Sequence, residues 1–517
     1  MLEPRRDTIF ALSSGRPPAA IAVVRISGPG AGAALKALIG KLPAPREAAL
    51  ARVRDPLSSE VIDQALALWF PAPHSETGED VAELQLHGGR AVIAATLTAL
   101  ARLSSLRPAE AGEFTRRAFE NGKLDLTAVE GLADLVLAET EGQRRQALRQ
   151  LQGALGNRAE SWRRRLIQAL ALAEAGIDFS DEADVPKGLL EPALAIAREL
   201  EAEIATALAD GARGERLREG LAVVIAGPPN AGKSTLLNRL ANREAAIVSP
   251  YAGTTRDVIE VHLDLGGWPV TVLDTAGIRE TGDPVEMEGV RRARERADAA
   301  DLVLWVFDDG GEAGAENAAA KDAGKSPLIA GREPRGPQAP PRGATATVLE
   351  DDGTEACHRR ARPIWLIRNK ADRKSESIVI TSSSSSERIV DQAASSKNSP
   401  SIGFAPKNES ASRYDLKFNI SALTGEGFDD LLKQLTLEAE AFLAGSESAL
   451  ITRERHRHAL EEALAALRRA GSPGVSGKEE LLSEELRVAA RALGRLTGRV
   501  DVEDVLDAIF RDFCIGK

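Results

Sequence analysis

The octapeptide Gly-Pro-Pro-Asn-Ala-Gly-Lys-Ser at residues 227–234 constrains the fold more than any other part of this chain. It fits the pattern G-x-x-x-x-G-K-[ST], whose glycines let backbone N–H groups wrap around phosphate oxygens where a helix begins. An apolar run, residues 222–226, precedes it, and a helical pattern, residues 235–242, follows it. This order predicts a buried parallel strand, a phosphate loop and a helix, as in α/β nucleotide-binding domains.

The phosphate loop predicts two specific side-chain roles. Lys233 is expected to neutralise the β- and γ-phosphate oxygens, and the Ser234 hydroxyl is expected to bind Mg²⁺. The loop residues that we expect to contact the nucleotide are Asn230, Ala231, Gly232, Lys233, Ser234 and Thr235.

Three further short motifs follow predicted strands. The first is expected to contact Mg²⁺ and phosphate, and the other two are expected to contact a guanine base. The first is Asp274, Thr275, Ala276 and Gly277, the second is Asn369, Lys370, Ala371 and Asp372, and the third is Ser421 and Ala422. Asp274 is expected in the Mg²⁺ shell, and the Gly277 N–H is expected to meet the γ-phosphate. The Asp372 carboxylate suits the N1–H and N2–H donors of guanine, which adenine lacks as a pair, and the Ser421–Ala422 backbone suits guanine O6. Carboxyl ends of parallel strands share one edge of the sheet, so the four motifs together predict a GTP site.

The residue after Gly277 is Ile278, whose aliphatic side chain cannot orient a water molecule. Many small GTPases carry a glutamine at this position. Another group must activate the water, or hydrolysis is very slow. The acidic candidates just downstream are Glu280, Asp283, Glu286 and Glu288.

The composition changes along the chain and predicts three kinds of domain. Residues 1–125 alternate short apolar runs with turn residues, which predicts an α+β domain. Residues 126–220 and 435–517 are rich in Ala, Leu, Glu and Arg at helical spacing, which predicts one discontinuous all-α domain. Residues 221–434 form the inserted α/β domain, in which the segments 310–362 and 373–413 are predicted to be long surface insertions.

The remaining sequence properties exclude several classes of protein. No apolar run approaches the ~20 residues of a membrane span, and no signal peptide is recognisable at Met1. Two cysteines in 517 residues provide no disulfide framework, so we expect a cytoplasmic protein. The net charge of −11 argues against a chain-wide cationic surface for nucleic acid, although not against a local basic patch.

Strings along nearly the whole chain resemble the tRNA-modification GTPase family MnmE, also called TrmE. They include Val-Arg-Ile-Ser-Gly at 24–28, Thr-Gly-Glu-Asp at 77–80 and Ala-Gly-Thr-Thr-Arg-Asp at 252–257, and they end with Phe-Cys-Ile-Gly-Lys at 513–517. The resemblance implies an N-terminal folate-binding and dimerisation domain, a helical domain and an inserted GTPase domain. It also implies a homodimer that acts with an FAD-dependent MnmG-type partner, as a heterotetramer, to add an aminomethyl-type group to C5 of the wobble uridine of certain tRNAs.

The same resemblance implies further site residues. The ligands of 5-formyl-tetrahydrofolate would be Arg25, Glu83, Lys123 and Lys517. A K⁺ ion would replace an arginine finger, bound by Asn230, Ser249, Tyr251 and Thr254, while Thr255 would complete the Mg²⁺ site and Glu286 would act on the attacking water. Ser249 and Tyr251 depart from the residues often found in the family, but backbone carbonyls can serve at those positions.

Two other classes of function stay open at this point. A ribosome-assembly or other RNA-binding GTPase switch would carry the same nucleotide motifs, usually beside a visibly basic domain. A scaffold with a degenerate nucleotide site is opposed by the intact Lys233, Ser234, Asp274 and Asp372.

Overall fold

The protein is described by a computed structural model that covers residues 7–178, 190–228, 230–243, 245–247, 260–274, 300–308, 363–370, 416–472 and 479–500, with Leu506, Ile509, Phe510 and Gly516. The chain divides into two compact units. The first comprises Met1–Arg218 and Gly445–Lys517, and the second is Glu219–Ala444, so the second unit interrupts the first in sequence.

The first unit begins with a six-stranded sheet in the order β3-β4-β5-β2-β1-β6. Its strands are β1 (Thr8–Leu12), β2 (Ile21–Ser27), β3 (Ala49–Arg54), β4 (Val61–Phe70), β5 (Val81–His87) and β6 (Leu106–Pro108). The helices of this region are α1 (Ala31–Ile39), α2 (Arg90–Ala101) and α3 (Glu113–Glu120). Alternate residues of β2 (Ala22, Val24 and Ile26) are buried, as the period of two predicts for a sheet with one covered face.

Five helices follow: α4 (Leu126–Leu137), α5 (Glu141–Leu151), α6 (Ala154–Asp178), α7 (Leu190–Ala209) and α8 (Gly211–Glu219). Two of them have clear start signals. The Asp125 carboxylate accepts from Ala128 N and caps α4, and Thr140 forms a capping box with Gln143 at the start of α5. Each cap satisfies backbone donors that a helix otherwise leaves without a partner.

The second unit contains a seven-stranded sheet in the order β13-β12-β11-β7-β10-β9-β8. Its strands are β7 (Leu221–Ala226), β8 (Ala246–Ile247), β9 (Glu260–Leu265), β10 (Trp268–Asp274), β11 (Leu302–Phe307), β12 (Ile364–Arg368) and β13 (Leu416–Asn419). Strands β7, β10, β11, β12 and β13 are parallel, while β8 and β9 join antiparallel at one edge. The helices α9 (Lys233–Ala241) and α10 (Phe428–Leu443) pack against this sheet. The predicted strand at 222–226 and the helix after it are therefore confirmed.

The predicted end of the α/β domain at residue 434 is wrong, because it falls inside α10. Leu435 and Ala439 are fully buried in the core of the seven-stranded sheet, so the second unit extends to Ala444. Residues 435–443 have the Ala, Leu and Glu composition of the helical region, and composition therefore could not locate this boundary.

The first unit is completed by α11 (Glu454–Ala470) and α12 (Glu479–Thr497). Both share one apolar core with α6 and α7, which includes Trp162, Leu200, Leu464 and Leu486. The buried Glu130 of α4 accepts two hydrogen bonds of 2.6 Å from Arg455 of α11. The two sequence segments of the first unit are thus joined by apolar packing and by a buried ion pair. No helix among the described residues is long and apolar enough to cross a bilayer.

Candidate functional site

The phosphate loop connects β7 to α9 and contains two positions, Gly227 and Gly232, where the backbone requires glycine. Gly227 has φ +138°, and a Cβ there would stand 2.0 Å from the carbonyl oxygen of Val306. Gly232 has φ +93°, and its Cβ would stand 2.0 Å from Nδ2 of Asn369. Positive φ and the close approach of neighbouring groups both require glycine, which explains the glycine pattern of the loop.

Lys233 and Ser234, which the sequence predicts as the phosphate and Mg²⁺ ligands, lie at the start of α9. The buried Lys233 ammonium donates to the carbonyl oxygens of Gly227 (2.9 Å) and Pro228 (2.8 Å), so it lies folded under its own loop. Burial lowers the Lys233 pKa below its usual value, and the nearby Asp274 carboxylate opposes this shift. The Ser234 hydroxyl donates to Oδ2 of Asp274 at 3.1 Å.

The pair of Ser234 and Asp274 fits a Mg²⁺ ion. A hydroxyl and a carboxylate are the hard oxygen ligands that Mg²⁺ prefers, and this ion usually takes only one or two protein ligands beside phosphates and water. The part of the chain that the structure describes contains no cluster of three or more His, Cys, Asp or Glu side chains suited to a metal. Asp274 ends β10 in the strand neighbouring β7, so parallel pairing places its carboxylate beside the phosphate loop.

Asn369 joins the phosphate loop to the loop after β13. Its Nδ2 donates to the carbonyl oxygen of Ala231 and its Oδ1 accepts from the Ala422 amide, both at 2.9 Å. The neighbouring Lys370 donates to the carbonyl oxygen of Asn230 at 3.1 Å and pairs with Asp308 at 3.0 Å. Three loops that are distant in sequence therefore meet at the carboxyl edge of the sheet, as open α/β sheets require.

Several predicted site residues lie outside the described residues. They are Ser249, Tyr251, Thr254, Thr255, Thr275, Ala276, Gly277, Glu286, Ala371, Asp372 and Lys517. Two residues that the sequence analysis missed belong to this edge of the sheet. Asp308 follows β11 and pairs with Lys370, and Arg239 of α9 contacts the loop after β13. No local pattern marks either residue, because their partners lie far away along the chain.

A second candidate site is a cavity of about 190 Å³ in the first unit. Its lining is Ser13, Arg25, Glu76, Phe114, Thr115, Ala118, Leu124, Leu132 and Gly516. Arg25 is paired at 2.8 Å with both Glu83 and Glu76, and its guanidinium lies 5.8 Å from the centre of the Phe114 ring. Arg25 and Glu83 are direct partners across β2 and β5, so the strand register itself brings these two predicted ligands together.

Of the predicted folate ligands, only Arg25 is among the described residues that line this cavity, and Glu83 adjoins it through its ion pair with Arg25. Lys123 is exposed, and its Cε lies 3.3 Å from where a Cβ of Gly78 would stand, which places it beside the predicted motif at 77–80. Lys517 lies outside the described residues, although the preceding Gly516 lines the cavity. The cavity combines a cation and a carboxylate with an aromatic ring and leucines, and this mixture suits a flat heteroaromatic ligand that carries a carboxylate.

Three arginines of the helical region, Arg163, Arg165 and Arg457, form ion pairs with glutamates. Arg163 pairs with Glu160, Arg165 with Glu199 and Glu203, and Arg457 with Glu215. The Arg163 pair lies within α6, whereas Arg165 links α6 to α7 and Arg457 links α11 to α8.

The phosphate loop, the Ser234–Asp274 pair and the Asn369 bridge together define a P-loop nucleotide-binding domain of the GTPase class. Comparison with known proteins then identifies the family. The family model described as MnmE helical domain matches residues 126–514, and that described as GTP-binding protein TrmE N-terminus matches residues 8–123. The chain belongs to the MnmE family of tRNA modification GTPases.

Individual relatives agree with this assignment over their full length. A tRNA modification GTPase MnmE of a Bradyrhizobium species is 54% identical over 516 residues, which is 100% of both chains. The protein of the same name from Rhodopseudomonas palustris is 51% identical over 516 residues, again 100% of both. The solved G domain of the T. maritima FeoB iron transporter is 16% identical and covers 42% of this chain and 98% of its own with a TM-score of 0.21, and this likeness adds nothing to the assignment.

Proposed function

We propose that this chain is a K⁺-activated GTPase that acts with an FAD-dependent partner on tRNA. The modification would place an aminomethyl-type group on C5 of the wobble uridine of certain tRNAs. The observation that carries the proposal is the Asn369 bridge between the phosphate loop and the loop after β13, in a chain that belongs to the MnmE family. This bridge supports a site that reads guanine and holds phosphates at the same time.

The described residues supply the binding part of this mechanism. The Lys233 ammonium is bound only to carbonyl oxygens of its own loop among the described groups, and phosphate oxygens would replace them. The Ser234 hydroxyl and the Asp274 carboxylate would hold a Mg²⁺ ion, which neutralises charge that develops on the phosphates. Lys370 holds the carbonyl of Asn230 and thereby fixes the phosphate loop from its other side.

The proposed activation of hydrolysis uses K⁺ in place of an arginine finger. Asn230 supports this role, because it is exposed at φ +63° in the phosphate loop while Lys370 anchors its backbone carbonyl. Ser249, Tyr251 and Thr254 would add oxygen ligands, Thr255 would complete the Mg²⁺ site, and Glu286 would orient the water that Ile278 cannot.

Single-turnover GTP hydrolysis in KCl and in NaCl tests this activation. We expect a much lower rate in NaCl, because the smaller ion cannot contact the same oxygens at once, and arginine fingers set the scale at ~10³–10⁵. Asn230→Ala should lose the response to K⁺ and keep nucleotide binding. Glu286→Ala should keep K⁺-dependent pairing of G domains but lose turnover. Equal wild-type rates in the two salts would refute K⁺ activation.

The cavity around Arg25 is proposed to bind 5-formyl-tetrahydrofolate or a related folate as the one-carbon donor. Arg25 lines the cavity and pairs with Glu83, and this supports the assignment, since a cation and a carboxylate match the glutamate tail and the pterin edge of folate. We further propose that the protein is a homodimer joined through residues 1–125, and that two copies assemble with two copies of the FAD-dependent partner.

The tRNA role is tested in cells. Mass analysis of wobble uridines should show loss of the modification in a strain that lacks this chain and its recovery when the wild-type gene is restored. Restoration with Lys233→Ala should fail, because that variant cannot hold the phosphates. Unchanged uridines in the deletion strain would instead favour the alternative of an RNA-binding GTPase switch.

A further inference from the structure

Arg239 binds three successive backbone carbonyls of the loop after β13. Its Nη1 donates to the oxygens of Ala422 (3.1 Å) and Leu423 (2.8 Å), and its Nη2 donates to that of Thr424 (2.9 Å). Arg239 lies on α9, the helix that begins at the phosphate loop. A single side chain therefore links the phosphate-binding helix to the loop expected to read the base.

Phe428 and Gly425 lie next to the guanidinium of Arg239. The group lies 5.6 Å from the centre of the Phe428 ring, within the range of a cation–π interaction. Gly425 has φ +94°, and a Cβ there would stand 1.9 Å from Nη2 of Arg239. The loop can close around the guanidinium only because residue 425 is glycine.

These bonds determine which backbone amide of the loop stays available to a ligand. The Ala422 amide already donates to Asn369, and the Thr424 and Gly425 amides donate back to the side chain and the carbonyl of Ser421. Among the groups that the structure describes, the Leu423 amide has no acceptor. That N–H belongs to the same planar peptide as the Ala422 carbonyl, and in a trans peptide the two groups point in opposite directions. By binding Ala422 O, Arg239 fixes the direction of the Leu423 N–H.

We propose that Arg239 is a positioning residue for base recognition, which orients the Leu423 N–H as the donor to guanine O6. The proposal rests on the proposed GTP site at this edge of the sheet. It changes the sequence-based expectation for Ser421 and Ala422, since the amide of Ala422 is occupied by Asn369. Arg239 itself does not touch the nucleotide.

The test compares two ligands that differ at the base. Dissociation constants are measured with Mg²⁺ for GDP and for 2-aminopurine riboside diphosphate, which lacks O6 and therefore cannot use the Leu423 donor. In Arg239→Ala the loop amide is released, and we expect GDP to bind about 3–10-fold more weakly, the range of one net hydrogen bond. Affinity for the analogue should change by less than about twofold, because it loses no bond.

Two more variants separate positioning from folding. Arg239→Lys keeps the charge but lacks the planar fork that spans the carbonyls, so its GDP affinity should lie between those of wild type and Arg239→Ala. Arg243→Ala is the matched control, since Arg243 also lies over Phe428 (5.0 Å) and pairs with Asp429 but has no contact with the three carbonyls. Its affinities for both ligands should equal those of wild type.

The outcomes are distinguishable. Equal weakening of GDP and analogue in Arg239→Ala would overturn the positioning role, because the damage would then lie in the phosphate site or in the fold. A GDP affinity in Arg239→Ala equal to that of wild type would overturn it as well. A wild-type protein that binds GDP and the analogue equally would overturn the guanine site itself and with it the role of Arg239.

Discussion

The side-chain amide of Asn369 donates to the carbonyl oxygen of Ala231 at 2.9 Å, and this bond crosses 138 residues of sequence. The other end of the same amide accepts from the Ala422 backbone. Asn369 is buried, so these two hydrogen bonds form in a low-dielectric environment, where they are stronger than in water. The Asn369 side chain therefore links the phosphate loop to the loop after β13.

Asn369→Ala should weaken GDP binding by about tenfold or more, because the Ala231 carbonyl and the Ala422 amide both lose a buried partner. Equilibrium titration with GDP measures the loss. Asn238→Ala, an exposed asparagine on α9, is the control and should bind GDP as wild type does. A normal affinity in Asn369→Ala would show that the two loops hold their positions without the bridge.

Asp372→Asn tests base selection, a prediction that rests on the sequence because Asp372 lies outside the described residues. The substitution replaces an acceptor for guanine N1–H and N2–H by an amide. We expect lower affinity for GTP and higher affinity for xanthosine triphosphate, whose base offers the complementary groups. Competition binding with both nucleotides is the measurement, and an unchanged preference for GTP would place base selection elsewhere.

Ser234→Ala should reduce the dependence of nucleotide binding on Mg²⁺. The hydroxyl that faces Asp274 at 3.1 Å is removed, so the ion loses one of its protein oxygens. GTP affinity is measured as a function of Mg²⁺ concentration for both proteins. When a chelator removes the metal, wild type and variant should converge. A difference that persists without Mg²⁺ would mean that Ser234 acts on the phosphates directly.

Arg25→Ala should weaken binding of 5-formyl-tetrahydrofolate and leave GTP binding intact. The substitution removes the cation of the cavity and leaves Glu83 without the partner that it contacts at 2.8 Å. Calorimetry on the full chain measures both ligands. Arg90→Ala, an exposed arginine at the start of α2, serves as the control. If the wild-type chain binds no folate, the assignment of this cavity fails.

The lowered pKa of Glu113 predicts that the first unit loses stability at acid pH. Burial alone would raise its pKa, but hydrogen bonds from Arg107, the Glu110 amide and Arg117 lower the pKa from 4.5 to about 2. A carboxylate whose pKa is lower in the folded state stabilises the fold above the unfolded pKa. This stabilisation is lost as the pH falls from about 4.5 to about 2.

Glu113→Gln therefore should lower the free energy of unfolding by about 3 kcal/mol at pH 7, the scale for a broken buried ion pair, and by less at pH 3. Denaturant unfolding at both pH values measures the difference between wild type and variant. The exposed pair of Glu141 and Arg144 provides the control Glu141→Gln, which should change the free energy of unfolding far less than Glu113→Gln does. An equal loss at both pH values would show that the charge of Glu113 is not the cause.

The sequence alone predicted the strand at 222–226, the phosphate loop and the strand-end positions of Asp274, Asn369 and Ser421. These features are local, since a strand, its turn and the next helix are specified by neighbouring residues. The spacing of charged residues did not reveal that Arg25 pairs with Glu76 as well as with Glu83, because that contact brings a loop to a strand.

The sequence by itself determined the class of nucleotide site, since that class depends on short strings whose residue types have direct chemical roles, and it indicated the family through the resemblance of further strings along the chain. Only the tertiary structure showed that the second unit ends after α10. It also showed that Arg239 binds the loop after β13 and which amide of that loop stays available to a ligand. The partners of Arg239 lie more than 180 residues away along the chain. Their meeting depends on strand order and helix packing, which no local pattern encodes.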